Sequence, residues 1–375
     1  MNRPATLLGL VLLAGCTSRP SFEPDVINAA PIGQGLPRDF LLGTATSSHQ
    51  VEGGNDNDWT QWEKSRFADG SLHIHDGSES GTAADSWNRF DDDLAAMKRL
   101  GANTYRFSLE WSRIEPRPGE WDESAILKYH QWAETLQANG ITPMVTLNHF
   151  TLPRWVSDAG GWENDATVDA FERFSAKMAE RLGDQVDWWC TINEPNVIVV
   201  SGYIDGIWPP GKQDTGLAAH VLARLFEAHA RAAAQLRARD TRDADKDGKN
   251  TLIGLAHHVR FFQPATGSTA DTAVTGLTDA FFNESLPQAL RTGHISLFVP
   301  GAASIERDVP GLKDSVDYFG INYYTRDYIR QDLSPSFSHK YVPADRQKND
   351  LGGSSTQRVS TFSSNATRHS GCRWW

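Results

Sequence analysis

The chain has 375 residues, with 36 basic and 47 acidic side chains, a formal net charge of −11 and 39% hydrophobic residues. That length holds one large domain or two ordinary ones with a full core, and the acidic balance lacks the basic footprint that phosphate backbones demand, which argues against a nucleic-acid partner. Three cysteines, at 16, 190 and 372, are too few and too scattered for a disulfide framework or a zinc site, while 13 Trp and 17 Phe favour, weakly, a pocket for a flat or ring-shaped ligand.

At the N-terminus Arg3 precedes the apolar run Leu7 to Leu13, too short to span a bilayer, and Leu13-Ala-Gly-Cys16 follows. As a run alone it could be a buried strand. Leu-Ala-Gly-Cys resembles a bacterial lipoprotein signal over residues 1–16. The resemblance implies cleavage before Cys16, acylation of Cys16 and a lipid anchor that holds an exported protein to the bacterial cell envelope, on the periplasmic or outer-membrane side. Residues 17–37 are Pro-rich, have no hydrophobic period and read as a tether.

From Phe40 onward, short apolar runs alternate with amphipathic stretches. The pattern predicts strands at Phe40 to Thr46, Thr104 to Leu109, Pro143 to Asn148, Trp188 to Ile192, Leu252 to His257 and Tyr318 to Asn322. Helices are expected at Ser86 to Leu100, Ser124 to Asn139, Ala166 to Leu182, Gly216 to Arg239 and Ala273 to Thr292. Asp85-Ser86 and Asp122 offer N-cap chemistry, and Gly101, Gly140 and Gly183 sit where helices stop. This repetition predicts an α/β fold with a parallel sheet and helices outside it, either a barrel or a doubly wound sheet. No Gly-rich phosphate loop follows the first strand, which weakens the case for a dinucleotide fold.

Polar residues gather at the predicted C-terminal strand ends: His49 and Gln50, Arg106, Asn148 and His149, Asn193 and Glu194, then Asn322, Tyr323 and Tyr324. In a barrel these positions share one mouth. A doubly wound sheet would gather function at one crevice instead.

Five segments then fall into a known order: Phe40-Leu-Leu-Gly-Thr-Ala-Thr-Ser-Ser-His-Gln50-Val-Glu52 with Asp58-Trp-Thr-Gln-Trp62-Glu63, Tyr105-Arg-Phe-Ser-Leu-Glu-Trp-Ser-Arg-Ile114, Leu147-Asn-His-Phe-Thr-Leu-Pro153, Thr191-Ile-Asn-Glu-Pro195, and Gly320-Ile-Asn-Tyr-Tyr-Thr325. Together they resemble family 1 glycoside hydrolases, the β-glucosidase family, from about Leu36 to Gly352. The resemblance implies a (β/α)8 TIM barrel that hydrolyses a β-glycoside or oligosaccharide without a cofactor or metal. It also implies a retaining mechanism, with two carboxylates about 5 to 5.5 Å apart. Glu194 matches the acid/base, and Asn193 the residue that holds the sugar 2-hydroxyl. Gln50 and His149 match the pair that binds the terminal sugar's hydroxyls. Arg106 and Tyr324 match the groups that flank the nucleophile, with Asn322 in support. Phe150 stands where the family usually has Trp.

The nucleophile of this family lies in an Ile-Thr-Glu-Asn-Gly segment at the end of strand seven, and no such segment occurs here. Asp345 and Asp350 follow no apolar run that could be a strand. Residues 38–352 therefore read as a partial barrel of about six of eight βα units. Residues 353–375, rich in Ser, Thr and Arg and ending Cys-Arg-Trp-Trp, read as an aberrant tail. Restoring one base after Gly352 lets allowed codons spell a segment resembling the family's next helix and the start of strand seven, so a frameshift is the expected cause. On that reading the chain as given is inactive. A catalytically dead carbohydrate-binding lipoprotein and a nonfunctional fragment are the alternatives. Asp243-Ala-Asp245-Lys-Asp247-Gly248 has calcium-loop spacing, but its twelfth position is Gly254, so a solvated loop is expected. The pairs His73 with His75 and His257 with His258 read as structural or surface residues, and Cys190 as a small buried apolar residue.

Overall fold

The computed structural model of the chain describes residues 37, 40–332, 338–341 and 373–374. Contacts divide the chain into Met1–Phe40 and Leu41–Trp375, and the sheet and its helices belong to the second unit. Cys16 with its signal, the tether but for Pro37, Asp345, Asp350 and the tail but for Arg373–Trp374 lie outside the described residues.

A parallel sheet runs in the order β1 (Gly43–Ala45), β2 (Thr104–Ser108), β3 (Thr142–Asn148), β4 (Trp188–Asn193), β5 (Leu252–Pro264), β8 (Tyr318–Gln331) and β10 (Arg373–Trp374). An antiparallel hairpin of β6 (His294–Val299) and β7 (Ala303–Asp308) stands apart, and β9 (Ser338–Tyr341) pairs antiparallel with β8. Among the described residues no pairing joins β1 to β10, so the sheet is an open part of a (β/α)8 barrel.

The strands are apolar along their whole length because helices cover one face and the barrel interior the other. Every residue of β4 is buried, as are six of the seven in β3. The helix Asp165–Leu182 buries Val168, Phe171, Phe174, Ser175, Met178 and Leu182, a three-to-four spacing that lays one stripe on the sheet. Trp111, just past β2, stacks on Phe174 at 5.0 Å between ring centres, tying a strand-end turn to that helix. The helix Thr215–Arg239 is lined with buried alanines, which lets it pack closely against the helix Asp165–Leu182. No helix among the described residues is long and apolar enough to cross a membrane.

Several expectations shift at element edges. The helix Ser86–Leu100 has the predicted bounds, but Asp85 does not cap it: its backbone is left-handed, at φ 57°, and its carboxylate instead accepts from Asn88 Nδ2. Asp122 does cap its helix, accepting from the amides of Ser124 and Ala125. The first strand is only three residues, because the chain turns into Ser48–Val51 directly after it. β5 and β8 run far beyond the predicted His257 and Asn322, since they keep pairing past the barrel rim as far as Pro264 and Ile329. The last predicted helix is Thr269–Asp279 and Ser285–Thr292, joined by a widened turn at Ala280–Glu284. Cys190 is buried as expected.

Candidate active site

Glu194 follows the last residue of β4 and sits in the left-handed region at φ 54° and ψ 59°. A glutamate pays about 1–3 kcal/mol for such a backbone. The conformation is held from both sides: Glu194 N–H donates to Ala256 O at 2.7 Å, and the Glu194 carbonyl accepts from Val197 and Ile198. Pro195 then opens the helix Pro195–Val199, where its missing amide costs nothing. Asn196 locks that helix to the neighbouring strand, donating from Nδ2 to the carbonyls of His258 and Phe282 at 2.7 and 3.1 Å. The result aims a buried carboxylate into the mouth of the sheet.

A polar cluster draws side chains from four strands there. Arg106 Nη1 on β2 donates to Asn193 Oδ1 at 2.9 Å. Asn322 Nδ2 on β8 donates to the same Asn193 oxygen at 3.3 Å and to Glu194 Oε1 at 2.6 Å. His258 Nδ1 on β5 lies 3.5 Å from Glu194 Oε1. Burial alone would raise the Glu194 carboxyl, but His258 and Asn322 together hold it below its ordinary value. None of these groups is a carboxylate.

His149 follows the last residue of β3, and burial, reinforced by the Arg106 charge, pushes its imidazole down to about 3. It therefore stays neutral, with one donor and one acceptor, and its buried Nδ1 has no partner. That suits a ring aimed at neutral sugar hydroxyls. Phe150 next to it takes φ 74°, and its ring lies 4.8 Å from His149 and 4.9 Å from Trp208. Trp208 in turn meets Trp59, and Trp59 meets His49, at 5.1 and 5.9 Å. Trp208 from a loop and Trp59 from the helix Asp58–Lys64 thus extend the aromatic wall of which Phe150 forms one end.

The predicted residues are not all brought together. Arg106, Asn193, Glu194 and Asn322 form one bonded cluster, with His149 beside it. Gln50 is exposed and accepts from Ser47 Oγ at 2.7 Å, with no bond to His149. His49 is buried in that turn with Ser48, and is held by Glu63 and Asn57. Tyr324 is 65% exposed and touches His258 edge-on. Partial burial and the nearby Glu194 charge raise its phenol, while Arg106 opposes them. His257 and His258, read as structural or surface residues, are both buried: His258 faces Glu194, while His257 turns the other way, donating from Nε2 to Asn283 O and packing on Phe319. The signal was the two-residue period, since His258 is in register with Asn322 across the β5 and β8 pair.

Oxygens of Asp187, Asp243 and Asp245 lie within 4.8 Å of one another. Asp187 nonetheless accepts from the amides of Ala244 and Asp245, and Asp243 from those of Asp247 and Gly248. Gly254, the twelfth position, is inside β5 against the Tyr318 ring and offers no ligand.

The chain is similar to known proteins over most of its length. Residues 33–366 match the family described as Glycosyl hydrolase family 1. A 1,4-beta-D-glucan glucohydrolase of Thermotoga neapolitana is 30% identical over 328 residues, covering 84% of this chain and 75% of that protein. Among solved structures, a β-glycosidase from Pyrococcus horikoshii shares 33% identity with a TM-score of 0.73, over 85% of this chain and 70% of that one. A Thermotoga maritima β-glucosidase in complex with glucoimidazole shares 28% with a TM-score of 0.74, over 85% and 72%.

Proposed function

Because the chain belongs to glycosyl hydrolase family 1, we propose that its site serves the retaining hydrolysis of β-glucosides, with Glu194 as acid/base and Asn193 on the sugar 2-hydroxyl. The observation that carries this reading is the bonded cluster itself: Asn322 spans Asn193 and Glu194, and Arg106 fixes Asn193 from the other side. Two amides and a guanidinium so placed hold Asn193's remaining amide group and the carboxylate in fixed directions, as a contact that strengthens at the transition state requires. Neutral His149 supplies further bonds to the sugar ring, and the wall of Phe150, Trp208 and Trp59 an apolar face beside it.

The reaction needs a second carboxylate to attack the anomeric carbon and form the glycosyl-enzyme. Among the described residues the cluster presents only Glu194. With no second negative charge beside it among the described residues, Glu194 stays ionised and is set up as a base, not as the acid that protonates the leaving oxygen. The 375-residue chain on its own therefore binds a β-glucoside and does not turn it over, and a chain carrying the strand-seven carboxylate does both. Calorimetric titration with a β-glucoside and an aryl β-glucoside assay on the two chains test this. Turnover by the 375-residue chain that disappears in Glu194→Gln would overturn the one-carboxylate part of the reading. Absence of both binding and turnover in the longer chain would overturn the glycosidase reading itself.

A further inference from the structure

We propose that His258 is a positioning residue for Glu194, with Arg260 dictating which ring nitrogen carries the proton and so presenting an N–H to Glu194 Oε1. The inference rests on the assignment of Glu194 as the acid/base. Arg260 Nε, a donor without a lone pair, lies 3.3 Å from His258 Nε2. That nitrogen must accept, which leaves Nδ1 as the protonated position of a neutral ring. Nδ1 faces Glu194 Oε1 at 3.5 Å, longer than a full hydrogen bond, so it acts on the carboxylate as an oriented dipole beside the closer Asn322 amide.

Everything around the ring serves to fix it. Arg260 Nη1 is bound to buried Asp327 at 3.2 Å, and its guanidinium lies 5.0 Å over the Phe282 ring. Asn283 clamps the Arg260 backbone from both sides, accepting from its N–H and donating to its carbonyl. Phe282 and Tyr324 close edge-on against the imidazole at 5.7 and 5.3 Å. The other charged or titratable groups facing Glu194 are Arg106 from β2, His149 from the end of β3 and Tyr324 from β8, with His257 behind on β5. Asp327 balances the Arg260 charge, so the effect on Glu194 comes through the ring and not through a bare cation.

The test follows the Glu194 carboxyl by carbon NMR in the full chain labelled at glutamate, with the signal assigned by its loss in Glu194→Gln. Removing the donor in His258→Leu is expected to move the titration midpoint upward by roughly half a pH unit or more. His258→Asn, which keeps a short amide donor, returns it toward the parent, and Arg260→Met, which frees the tautomer, moves it part of the way up. A ring that only packs would lower the unfolding temperature and leave the midpoint alone, so an unchanged midpoint in folded His258→Leu overturns the proposal. Should that variant fail to fold, an unchanged midpoint in Arg260→Met overturns it equally. The readout needs no turnover, so its failure is separate from a failure of the glycosidase reading, which the binding and aryl-glucoside measurements report.

Discussion

Asn322 Nδ2 reaches Glu194 Oε1 at 2.6 Å while the same amide lies 3.3 Å from Asn193 Oδ1, so one side chain from β8 fixes both residues at the end of β4. A hydrogen bond to a charged acceptor is worth about 1.5–3 kcal/mol. Asn322→Ala should release Glu194 and Asn193 together. Its carboxyl titration should move up, and calorimetric affinity for a β-glucoside should fall by about tenfold or more. An affinity equal to the parent's would mean that Asn193 is held well enough by Arg106 alone.

Behind the site lies a second buried carboxyl whose behaviour runs the other way. Glu52 is pushed up to about 8 from its ordinary 4.5 chiefly by burial, with Tyr129 as its donor at 2.6 Å. Arg113 Nε lies 3.4 Å away, yet neither it nor Glu52 Oε2 has a hydrogen-bond partner. Because the folded value is raised, its stabilising contribution is complete below pH 4.5, where the unfolded chain is also protonated, and is lost as pH rises through about 8. Glu52→Gln should flatten the decline in unfolding free energy across that window, as read by urea titrations at several pH values. A decline of the parent's slope in the variant would place the titrating group elsewhere.

Most of the frame is legible in the sequence because the residues that set it act locally. The helix Ser86–Leu100 shows its apolar stripe and its stop at Gly101, where φ is 69°, within its own sequence. Glu194, Asn193 and Asn322 are legible through their motifs and strand-end placement. What stays hidden depends on partners distant in sequence. Nothing in the run from His258 to Pro264 announces that β5 keeps pairing with β8, so a strand read from local pattern ends seven residues too soon and gives no sign that His258 faces Glu194. The motif assigns Gln50 to the sugar, yet its exposure comes from the turn Ser48–Val51, which buries His49 instead. The hairpin of β6 and β7, absent from the predicted strands, alternates buried Ile295 and Leu297 with exposed Ser296 and Phe298, and the apolar Phe298 on the exposed face hides the period of two in the sequence.

The N-terminal reading is tested by chemistry at one sulfur. If the Leu-Ala-Gly-Cys resemblance holds, bacteria grown with labelled fatty acid should incorporate the label into the parent chain and not into Cys16→Ala. The parent should also fractionate with membranes and the variant without them. Labelling that persists in Cys16→Ala, or a soluble and unlabelled parent, would end the lipoprotein reading and leave the apolar run as an ordinary segment.

The floor beneath the site depends on a missing side chain. A Cβ on Gly254 in β5 would come within 2.5 Å of the Tyr318 ring, which crosses the barrel interior so that its hydroxyl donates to Trp189 O at 2.9 Å. Tyr318 begins β8 and Trp189 lies in β4, so this one ring ties the strand carrying Asn322 to the strand that ends at Glu194. Gly254→Ala should push the ring off that carbonyl and cost about 1–3 kcal/mol by overpacking. Tyr318→Phe, which keeps the ring and removes its hydrogen bond to the Trp189 carbonyl, should cost about 0.5–1.5 kcal/mol. If the two substitutions act through the same bond, the double variant should cost less than the sum of the singles, because the second change has no bond left to break. Full additivity in urea unfolding would show that Gly254 is needed for backbone packing alone, and that the tie between β4 and β8 is carried by the Asn322 cluster above it.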